Sequence, residues 1–493
     1  MVKAIKEIEN KSLEIDYSKL GFKAGLEIHQ QLDTGKKLFC NCPSYLRSDE
    51  PHFSINRKLH AVAGETGEID VAVTHEASLG RNFIYQAYKD TTCLVELDEC
   101  PPYPINELAL EEALKIALLL NCEIYPFSQI MRKTVIDGSN TSGFQRTILI
   151  AHDGYLETSS GKIRVDTVCL EEDAARIVEK NEKTATYRLD RLGIPLIEIA
   201  TAPDIKNPEQ VKESALKIGE ILRACKVKRG IGTIRQDINM SIKGHERVEI
   251  KGFQDPSMMI STVKKEIERQ LQEIKDGKKI GDVRGALENG ETEFLRPIPS
   301  GARMYPETDL ELLKIGRDKI NEIKKKLPKL KHEISSELKK KGLTDELISL
   351  ILDENLDEFS TLLRVYDKDA NLVAKMVSLW RSEFASKLKK NIDEIRSILS
   401  ERILETILEK LVKGEISESD IKGIMLKIAS GTPIDEALKI EKISHDSLEE
   451  EIEKIVKEKP GMKANAYMGL VIQKLGSIVD KRKAMEILQR IVK

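Results

Sequence analysis

The hydrophobic pattern of this 493-residue chain changes near residue 310, and that change limits the folds open to the chain. Before it, short runs of alternating apolar and polar residues end at turn pairs such as Asp153-Gly154, which is typical of β-strands. After it, apolar residues recur every three or four positions, which indicates helices. The sequence therefore predicts an α+β fold, with a mixed-sheet domain over residues 1–310, a helical domain over 311–400 and a small all-α tail domain over 401–493.

Helix-starting residues mark several of the helical segments. Asn207 is placed to cap a helix whose first turn holds Pro208, and Thr344 is placed to cap a helix of the second part. Thr432 and Pro433 form a similar start, with Thr432 as the cap and Pro433 at the first helical position.

The composition is that of a globular protein, with 40% hydrophobic and 33% charged residues. The net charge of -3 gives no general attraction to nucleic acid, so any RNA contact must come from local basic patches. No apolar run is long enough to span a membrane, and the N-terminal segment lacks the apolar stretch of a signal peptide. Seven cysteines in so long a chain do not indicate a disulfide framework. We expect a soluble, cytoplasmic protein.

Ionisable residues interrupt several of the predicted apolar strands. In GLEIHQQL, residues 25–32, strand alternation places Glu27 and His29 on one face and Leu26 and Ile28 on the other. The polar residues that stand in or directly after such strands are Glu27, His29, Glu171, Glu172, Glu198, Asp237, Glu249 and Lys251.

Two explanations are open for these acids, because an unpaired carboxylate is costly to bury. Each acid could form an ordinary ion pair with a nearby arginine such as Arg188, Arg191 or Arg235. Alternatively, several of them converge with His29 on one oxygen-rich site, which suits Mg²⁺ or Mn²⁺. The repeated pattern within one half of the chain favours the second explanation, and such a site suits phosphoryl transfer.

No familiar glycine-rich phosphate motif accompanies the acids. The nearest segment is IDGSNTSGFQRT, residues 136–147, which leads directly into the strands that carry them. Most loops of this composition are plain turns, but this one could bind phosphate or ribose through backbone amides. Its candidate residues are Ser139, Asn140 and Ser142.

Several long segments in collinear order resemble the GatB/GatE family. They include GLEIHQQLDTGKKLFCNCPS, MRKTVIDGSNTSGFQRT, CLEEDAARI, RLGIPLIEIATAPDI and FLRPIPSGARMYPETDL. Within that family, IDGSNTSGFQRT and RMYPETD are more similar to the E branch, the archaeal GatE proteins of glutamyl-tRNA(Gln) amidotransferase, than to the bacterial B branch. The resemblance covers residues 20–310 and continues more loosely through the helical part.

The resemblance implies a fold and an activity. The family fold is a cradle-shaped catalytic domain, a helical domain and a tail domain that binds tRNA. ATP phosphorylates the side chain of glutamate esterified to tRNA(Gln), and ammonia then displaces phosphate to give Gln-tRNA(Gln). The ammonia comes from the asparaginase-like partner GatD, and we expect a two-plus-two heterotetramer. The alternatives are a B-type subunit with an amidase-like partner, a tRNA-binding scaffold without chemistry, and a nucleotide-dependent ligase for another acyl substrate.

The resemblance also implies roles for individual residues. As Mg²⁺ ligands it implies His29, Glu198 and one of Glu171 and Glu172. As further active-site acids, which hold a second metal or orient ammonia, it implies Glu27 and Glu249. As contacts to ATP or substrate it implies Arg235, Asp237 and Lys251, with Ser139, Asn140 and Ser142 as the phosphate-loop candidates.

The cysteines of the first part offer a second metal hypothesis. Cys40 and Cys42 form a C-x-C pair, and Cys93 and Cys100 follow. Some family members hold a structural zinc in this part of the cradle, and four thiolates satisfy Zn²⁺. The alternative is that these are ordinary buried thiols.

One feature departs from the E branch. Its members usually carry an inserted domain similar to part of bacterial aspartyl-tRNA synthetase just before the RMYPETD segment, and residues 264–309 leave no room for it here. Since the cradle motifs are intact, we expect the chemistry to be retained and the contribution of that domain to tRNA selection to be missing.

Overall fold

The computed structural model describes residues 16–253, 255–298, 303–439, 445–475, 479 and 481–492. Residues 299–302 of the segment FLRPIPSGARMYPETDL lie outside this range. The described chain divides into two compact units, one up to Leu330 and one from Lys331 onward. The α+β class is confirmed, because the first unit contains a large mixed sheet and the second is helical. The domain boundaries at residues 310 and 400 stay predictions.

The strands of the described residues all lie in the first unit. In chain order they are β1 (Lys23–Gln31), β2 (Phe53–Arg57), β3 (Asn82–Ala87), β4 (Glu123–Ile124), β5 (Phe127–Ser128), β6 (Ile130–Thr134), β7 (Phe144–Thr158), β8 (Gly161–Glu172), β9 (Arg176–Lys180), β10 (Thr184–Arg188), β11 (Pro195–Thr201), β12 (Ile234–Ser241), β13 (Val248–Phe253), β14 (Asp282–Ala286), β15 (Thr292–Pro297), β16 (Met304–Pro306) and β17 (Leu313–Lys314).

The large sheet has the order β15-β14-β13-β12-β1-β11-β8-β7-β6-β16, and β4 also pairs with β7. Neighbouring strands in it are antiparallel except β13 and β14, which are parallel. A smaller sheet has the order β2-β3-β10-β9, and β5 pairs with β17. Strands distant in sequence therefore become neighbours, as β1 does with β11 and β12.

Helices of the first unit lie between the strands. They are α1 (Val71–Ser78), α2 (Glu107–Leu119), α3 (Pro208–Ala224), α4 (Met259–Lys275) and α5 (Arg317–Lys325). The predicted start of α3 is confirmed, because the Asn207 side chain accepts a hydrogen bond from the Gln210 backbone N–H at 2.7 Å and Pro208 begins the helix.

One face of the large sheet forms the hydrophobic core of the first unit. Leu26 and Ile28 of β1 and Ile197 and Ile199 of β11 belong to one buried cluster with the apolar residues of α2, α3 and α4. The alternation predicted for GLEIHQQL is thereby confirmed. Because strand residues alternate between faces, the polar residues between these apolar ones lie on the opposite face of the sheet.

The second unit consists of helices in its described residues. They are α6 (Lys331–Lys340), α7 (Asp345–Glu354), α8 (Leu356–Val365), α9 (Ala370–Val377), α10 (Leu379–Leu388), α11 (Ile392–Ile398), α12 (Glu401–Val412), α13 (Glu418–Ala429), α14 (Ile434–Ala437), α15 (His445–Glu458), α16 (Ala464–Leu475) and α17 (Lys481–Ile491). Their buried residues form two hydrophobic clusters, one over residues 338–437 and one over 448–488.

The helix starts predicted in the second unit have different outcomes. Thr344 caps α7 as expected and accepts a hydrogen bond from the Leu347 N–H. The prediction for Thr432 is wrong, because Pro433 itself is the N-cap and α14 begins at Ile434. None of the helices in the described residues has the length and apolar content needed to cross a lipid bilayer.

We predict that Ile199→Ala lowers the free energy of unfolding by about 2–5 kcal/mol, because Ile199 is fully buried between the sheet and its helices. The matched control is Ile231→Ala, since Ile231 is 95% exposed and its truncation leaves no cavity. Urea denaturation followed by circular dichroism measures both variants. Equal effects of the two substitutions would contradict the assignment of this face as the core.

Candidate active site and metal-binding residues

The face of the large sheet opposite the helices carries ionisable side chains from adjacent strands. The strand register pairs His29 of β1 with Glu198 of β11 on one side and with Arg235 of β12 on the other. Glu27 of β1 is paired with Asp237 of β12. Residues up to about two hundred positions apart in sequence thus meet on one surface, because paired residues on neighbouring strands point their side chains to the same face of the sheet.

Glu27, His29 and Glu198 form the centre of this surface. His29 Nε2 lies 3.2 Å from Glu198 Oε2 and 3.6 Å from Glu27 Oε1. One ligand atom from each residue lies within 4.8 Å of the other two. Burial lowers the pKa of His29, but the hydrogen bond to Glu198 and the charges of Glu198 and Glu27 outweigh it, so that the pKa is raised. An imidazole nitrogen and two carboxylates form a donor set that suits a divalent cation such as Mg²⁺ or Mn²⁺.

A second acidic group shares Glu27. Ligand atoms of Glu27, Asp237 and Glu249 also lie within 4.8 Å of one another. The Lys251 ammonium pairs with Asp237 Oδ2 at 2.6 Å and with Glu249. Burial lowers the pKa of Lys251, but the charges of Asp237 and Glu249 outweigh it and raise the pKa. Lys251 therefore offsets negative charge of the second group. In the first group, the ligand atoms of Glu27, His29 and Glu198 lie close together.

Glu171 lies beside the first group and is held by three donors. Its carboxylate accepts hydrogen bonds from Lys133 Nζ at 2.6 Å, Thr147 Oγ1 at 2.8 Å and Gln145 Nε2 at 2.9 Å. Lys133 Nζ is also 3.5 Å from Glu198 Oε2. Burial raises the pKa of Glu198, but the charge of Lys133 and the hydrogen bond to His29 more than offset this and lower it. Glu171 thus positions a protonated lysine against the first group.

Glu172 lies on the other face of the sheet, because consecutive strand residues point in opposite directions. Its carboxylate is 3.4 Å from Arg146 Nη1 and accepts a hydrogen bond from the Arg146 backbone N–H at 3.3 Å. Of the two acids that the sequence left open, the structure therefore brings Glu171 to the site and not Glu172.

Arg235 and the glycine-containing loop are placed near the site but are engaged by other residues. Arg235 Nη2 donates to Asp173 Oδ1 at 2.8 Å. Within the loop, the Ser139 hydroxyl donates to Asp137, and Asn140 and Ser142 both donate to the Phe144 carbonyl. These side chains shape the loop, and their phosphate-binding role stays a prediction.

A cavity of about 240 Å³ opens above the first group. Glu27, His29 and residues 133–137 line it, and so do basic side chains from several elements, namely Lys133, Lys251, Arg296 and Arg303. Sequence reasoning missed Arg296 and Arg303, although both stand in the segment FLRPIPSGARMYPETDL that carried the resemblance. Cations around a set of carboxylates allow the cavity to receive anionic groups.

The cysteines form a separate candidate metal site. Cys40, Cys42 and Cys93 converge with Glu96, with one ligand atom of each within 4.8 Å of the others. Hydrogen bonds from the other two thiols hold the pKa of Cys93 at about 3, and the pKa of Cys42 is raised to about 11. Cys100 is exposed and is not part of this group.

A buried lysine lies beside this cysteine site. The Lys37 ammonium is buried and pairs with Glu96. It also donates to the carbonyls of Thr91 and Leu189. Three thiols and a carboxylate offer the four ligands of a closed zinc site, with the acid replacing the predicted fourth thiol.

Comparison with known proteins identifies the family. The family model of the GatB/GatE catalytic domain matches residues 22–321, which contain every strand of the large sheet. This chain belongs to the GatB/GatE family. The E-type subunit of glutamyl-tRNA(Gln) amidotransferase from Methanocaldococcus jannaschii is 36% identical over 632 residues, covering 98% of this chain and 100% of the relative. The E-type subunit from Methanothermobacter thermautotrophicus is 33% identical over 595 residues, covering 92% and 94%.

A third relative has a higher identity over a shorter aligned span. The E-type subunit from Methanococcus vannielii is 46% identical over 303 residues, covering 61% of this chain and 47% of the relative. The alignment with the M. jannaschii protein is longer than this chain, so that relative has residues within the aligned span that this chain lacks. A chain that lacks the inserted domain is expected to be shorter than its relatives in this way.

We predict that Glu198→Gln lowers the affinity for Mn²⁺, used as a probe for Mg²⁺, by roughly tenfold or more, because it removes an anionic ligand from the group with Glu27 and His29. The matched control is Glu172→Gln, which lies on the opposite face and should leave the affinity unchanged. Electron paramagnetic resonance of free Mn²⁺ during titration measures both. Equal losses would contradict the separation of the two acids by the sheet.

For the cysteine site we predict that the purified protein contains zinc. Cys93→Ser should remove most of it, whereas Cys100→Ser should retain it, because only Cys93 lies with Cys40, Cys42 and Glu96. Elemental analysis by mass spectrometry gives the zinc content per chain. A wild-type protein without zinc, or loss of zinc in Cys100→Ser, would contradict the site as drawn.

Proposed function

We propose that this chain is the catalytic subunit of a glutamyl-tRNA(Gln) amidotransferase, which converts Glu-tRNA(Gln) to Gln-tRNA(Gln) with ATP. The observation that carries the proposal is the convergence of Glu27, His29 and Glu198 beneath a cavity lined by basic side chains. Membership of the GatB/GatE family and the names of the relatives support it.

The chemistry requires that two anions meet. A side-chain carboxylate oxygen of the esterified glutamate attacks the γ-phosphorus of ATP, the bond to the ADP oxygen breaks, and an acyl phosphate forms. Ammonia then adds to the acyl carbon, phosphate leaves with the electron pair of the carbon–oxygen bond, and the nitrogen loses a proton to give the amide. Since a carboxylate and a triphosphate repel each other, the site must supply positive charge.

The residues around the cavity can supply that charge. Lys133, Lys251, Arg296 and Arg303 line it, and we propose that they bind the phosphates and the substrate carboxylate. A divalent ion held by Glu27, His29 and Glu198 would add charge neutralisation and fix the orientation of the phosphate groups. Glu171 keeps the Lys133 ammonium beside Glu198 in this arrangement.

The remaining acids and polar residues take supporting roles in the proposal. Burial raises the pKa of Glu27, and the charge of Glu198 raises it further, so a cation bound beside these carboxylates would stabilise their charged forms. Asp237 and Glu249 hold Lys251 in place or bind a second cation with Glu27. We assign Arg235 to contacts with ATP or substrate, and the loop of Ser139, Asn140 and Ser142 to the phosphates through its backbone.

The partners follow from the same proposal. We infer an ammonia-donating, asparaginase-like partner, GatD, in a two-plus-two heterotetramer, and tRNA(Gln) charged with glutamate as the substrate that the helical tail helps to bind. Since tRNA is charged in the cytoplasm, we place the complex there. The B-type alternative with an amidase-like partner is less well supported, because the three relatives compared with this chain are all E-type subunits.

We predict that Glu198→Gln lowers amide formation by on the order of 10²-fold or more in the reconstituted complex, because it disrupts the group that stabilises the phosphoryl transfer. The assay measures Gln-tRNA(Gln) formed from Glu-tRNA(Gln), ATP and Mg²⁺. Ammonium chloride replaces the partner as the nitrogen source in a parallel reaction, so that ammonia delivery is tested separately.

The control for this experiment is Glu179→Gln, an exposed glutamate of β9 outside the site. It should retain full activity. A scaffold without chemistry would retain full amide formation in Glu198→Gln as well, and that result would overturn the proposed function.

A further inference from the structure

A second and larger cavity lies farther along the strand that carries His29. It has a volume of about 630 Å³, and Gln31, Tyr45, Leu46, Lys228 and Arg229 are among its lining residues. Gln31 follows His29 by two residues on the same face of β1, which is a separation of about 7 Å along a strand. The cavity therefore lies close to the group of Glu27, His29 and Glu198.

One wall of this cavity is the loop of residues 228–233, whose two ends are held by hydrogen bonds and whose tip is exposed. Gln30 is buried, and its carboxamide donates hydrogen bonds to the carbonyl of Lys228 at 2.9 Å and to that of Thr233 at 3.1 Å. Between them, Gly230 and Gly232 have φ angles of +116° and +82°, in the region that favours glycine. Ile231 at the tip is 95% exposed. The backbone thus presents an apolar side chain to solvent, where it adds nothing to the core.

The cations of this loop have unsatisfied charge. Within the described part of the chain, neither Lys228 nor Arg229 forms an ion pair, although both line the cavity. Burial lowers the pKa of Lys228, and the charges of Asp33 and Asp173 act in the opposite direction. A half-buried ammonium without a carboxylate partner is suited to an incoming anion.

Apolar surface faces these cations from the same cavity. Tyr45 and Leu46 are about half exposed, at 48% and 49%. Aromatic and aliphatic side chains beside Lys and Arg are the combination that binds single-stranded nucleotides, with bases against the apolar groups and phosphates on the cations.

We propose that this cavity binds the 3′-terminal nucleotide of the tRNA, with its base against Tyr45 and Leu46 and its phosphate at Lys228 and Arg229. The inference rests on the proposed function and deepens it. The distance supports this occupant, because the glutamate esterified to the terminal ribose extends roughly 6 Å from the ester oxygen to its side-chain carboxylate. A ribose beside Gln31 can therefore place that carboxylate near His29 and Glu198.

The adenosine of ATP shares this chemistry, but two features favour the tRNA end. Arg229 lines the cavity and is exposed, so that its guanidinium is accessible to the further phosphates of a polynucleotide. The cations around the other cavity, Lys133, Lys251 and Arg303, already offer a site for phosphates beside the acidic group.

The test compares Leu46→Asp with the wild-type chain on two probes, an uncharged tRNA(Gln) transcript with its complete 3′ end and the same transcript without the terminal nucleotide. We expect the wild type to prefer the complete transcript. Leu46→Asp should weaken binding of the complete transcript by about fivefold or more and leave binding of the shortened one unchanged. Fluorescence anisotropy at one fixed ionic strength gives the affinities.

The matched control is Leu216→Asp, at a leucine of α3 that is 46% exposed but is not among the residues that line the cavity. It should behave as the wild type on both probes. Lys228→Gln combined with Arg229→Gln is the second variant, and it should also reduce the preference for the complete end. Because these side chains lie at the surface or in the cavity, circular dichroism should show unchanged folding.

The outcomes separate this inference from the proposed function. No preference of the wild type for the complete end, or equal loss on both probes in Leu46→Asp, would overturn the inference even if the wild-type complex forms the amide. A lower ATP affinity of Leu46→Asp in calorimetry, with the tRNA preference unchanged, would overturn the inference and assign the cavity to ATP instead. Absence of amide formation by the wild-type complex would refute the proposed function itself.

Discussion

The two-residue alternation of the strands is the constraint on which this structure depends. Leu26 and Ile28 enter the core, so Glu27 and His29 between and beside them must face the other side of the sheet. The same holds on β11, where Ile197 and Ile199 flank Glu198. The burial of apolar residues under the helices therefore also fixes the positions of the ionisable residues. A shift of one residue in the register of any of these strands would exchange core and site.

The acidic face is stable because its charges are compensated nearby. Lys133 pairs with Glu171 and approaches Glu198, and Lys251 pairs with Asp237 and Glu249. Like-charged carboxylates at such short distances would otherwise repel one another and take up protons. The same arrangement serves the proposed chemistry, since a site that already balances carboxylates with ammonium groups can accept phosphate with little rearrangement.

A buried ion cluster on the other side connects the RMYPETD segment to the sheet. Glu307 is fully buried and accepts hydrogen bonds from Arg132 at 2.6 and 2.9 Å and from Arg146 at 2.8 Å. Glu172 also pairs with Arg146. These contacts hold β16 against β6, and Arg303 directly before β16 reaches the cavity. Glu172, which the sequence suggested as a metal ligand, thus belongs to the ion cluster that places the Arg303 guanidinium at the site.

The sequence by itself determined the elements and the chemical character of the site. Alternation in GLEIHQQL, the cap at Asn207 and the long family segments were sufficient to predict the α+β class and the faces of the strands. They were also sufficient to predict the group of His29 and Glu198. Each is a local pattern with a fixed geometric meaning. Only the tertiary structure decided whether Glu171 or Glu172 faces the site, and that Glu96 rather than Cys100 joins the cysteines. It also decided that Arg303, Lys228 and Arg229 line cavities. Each of these depends on which strands become neighbours and in which register, and contacts between distant residues are not encoded in the local pattern of either partner.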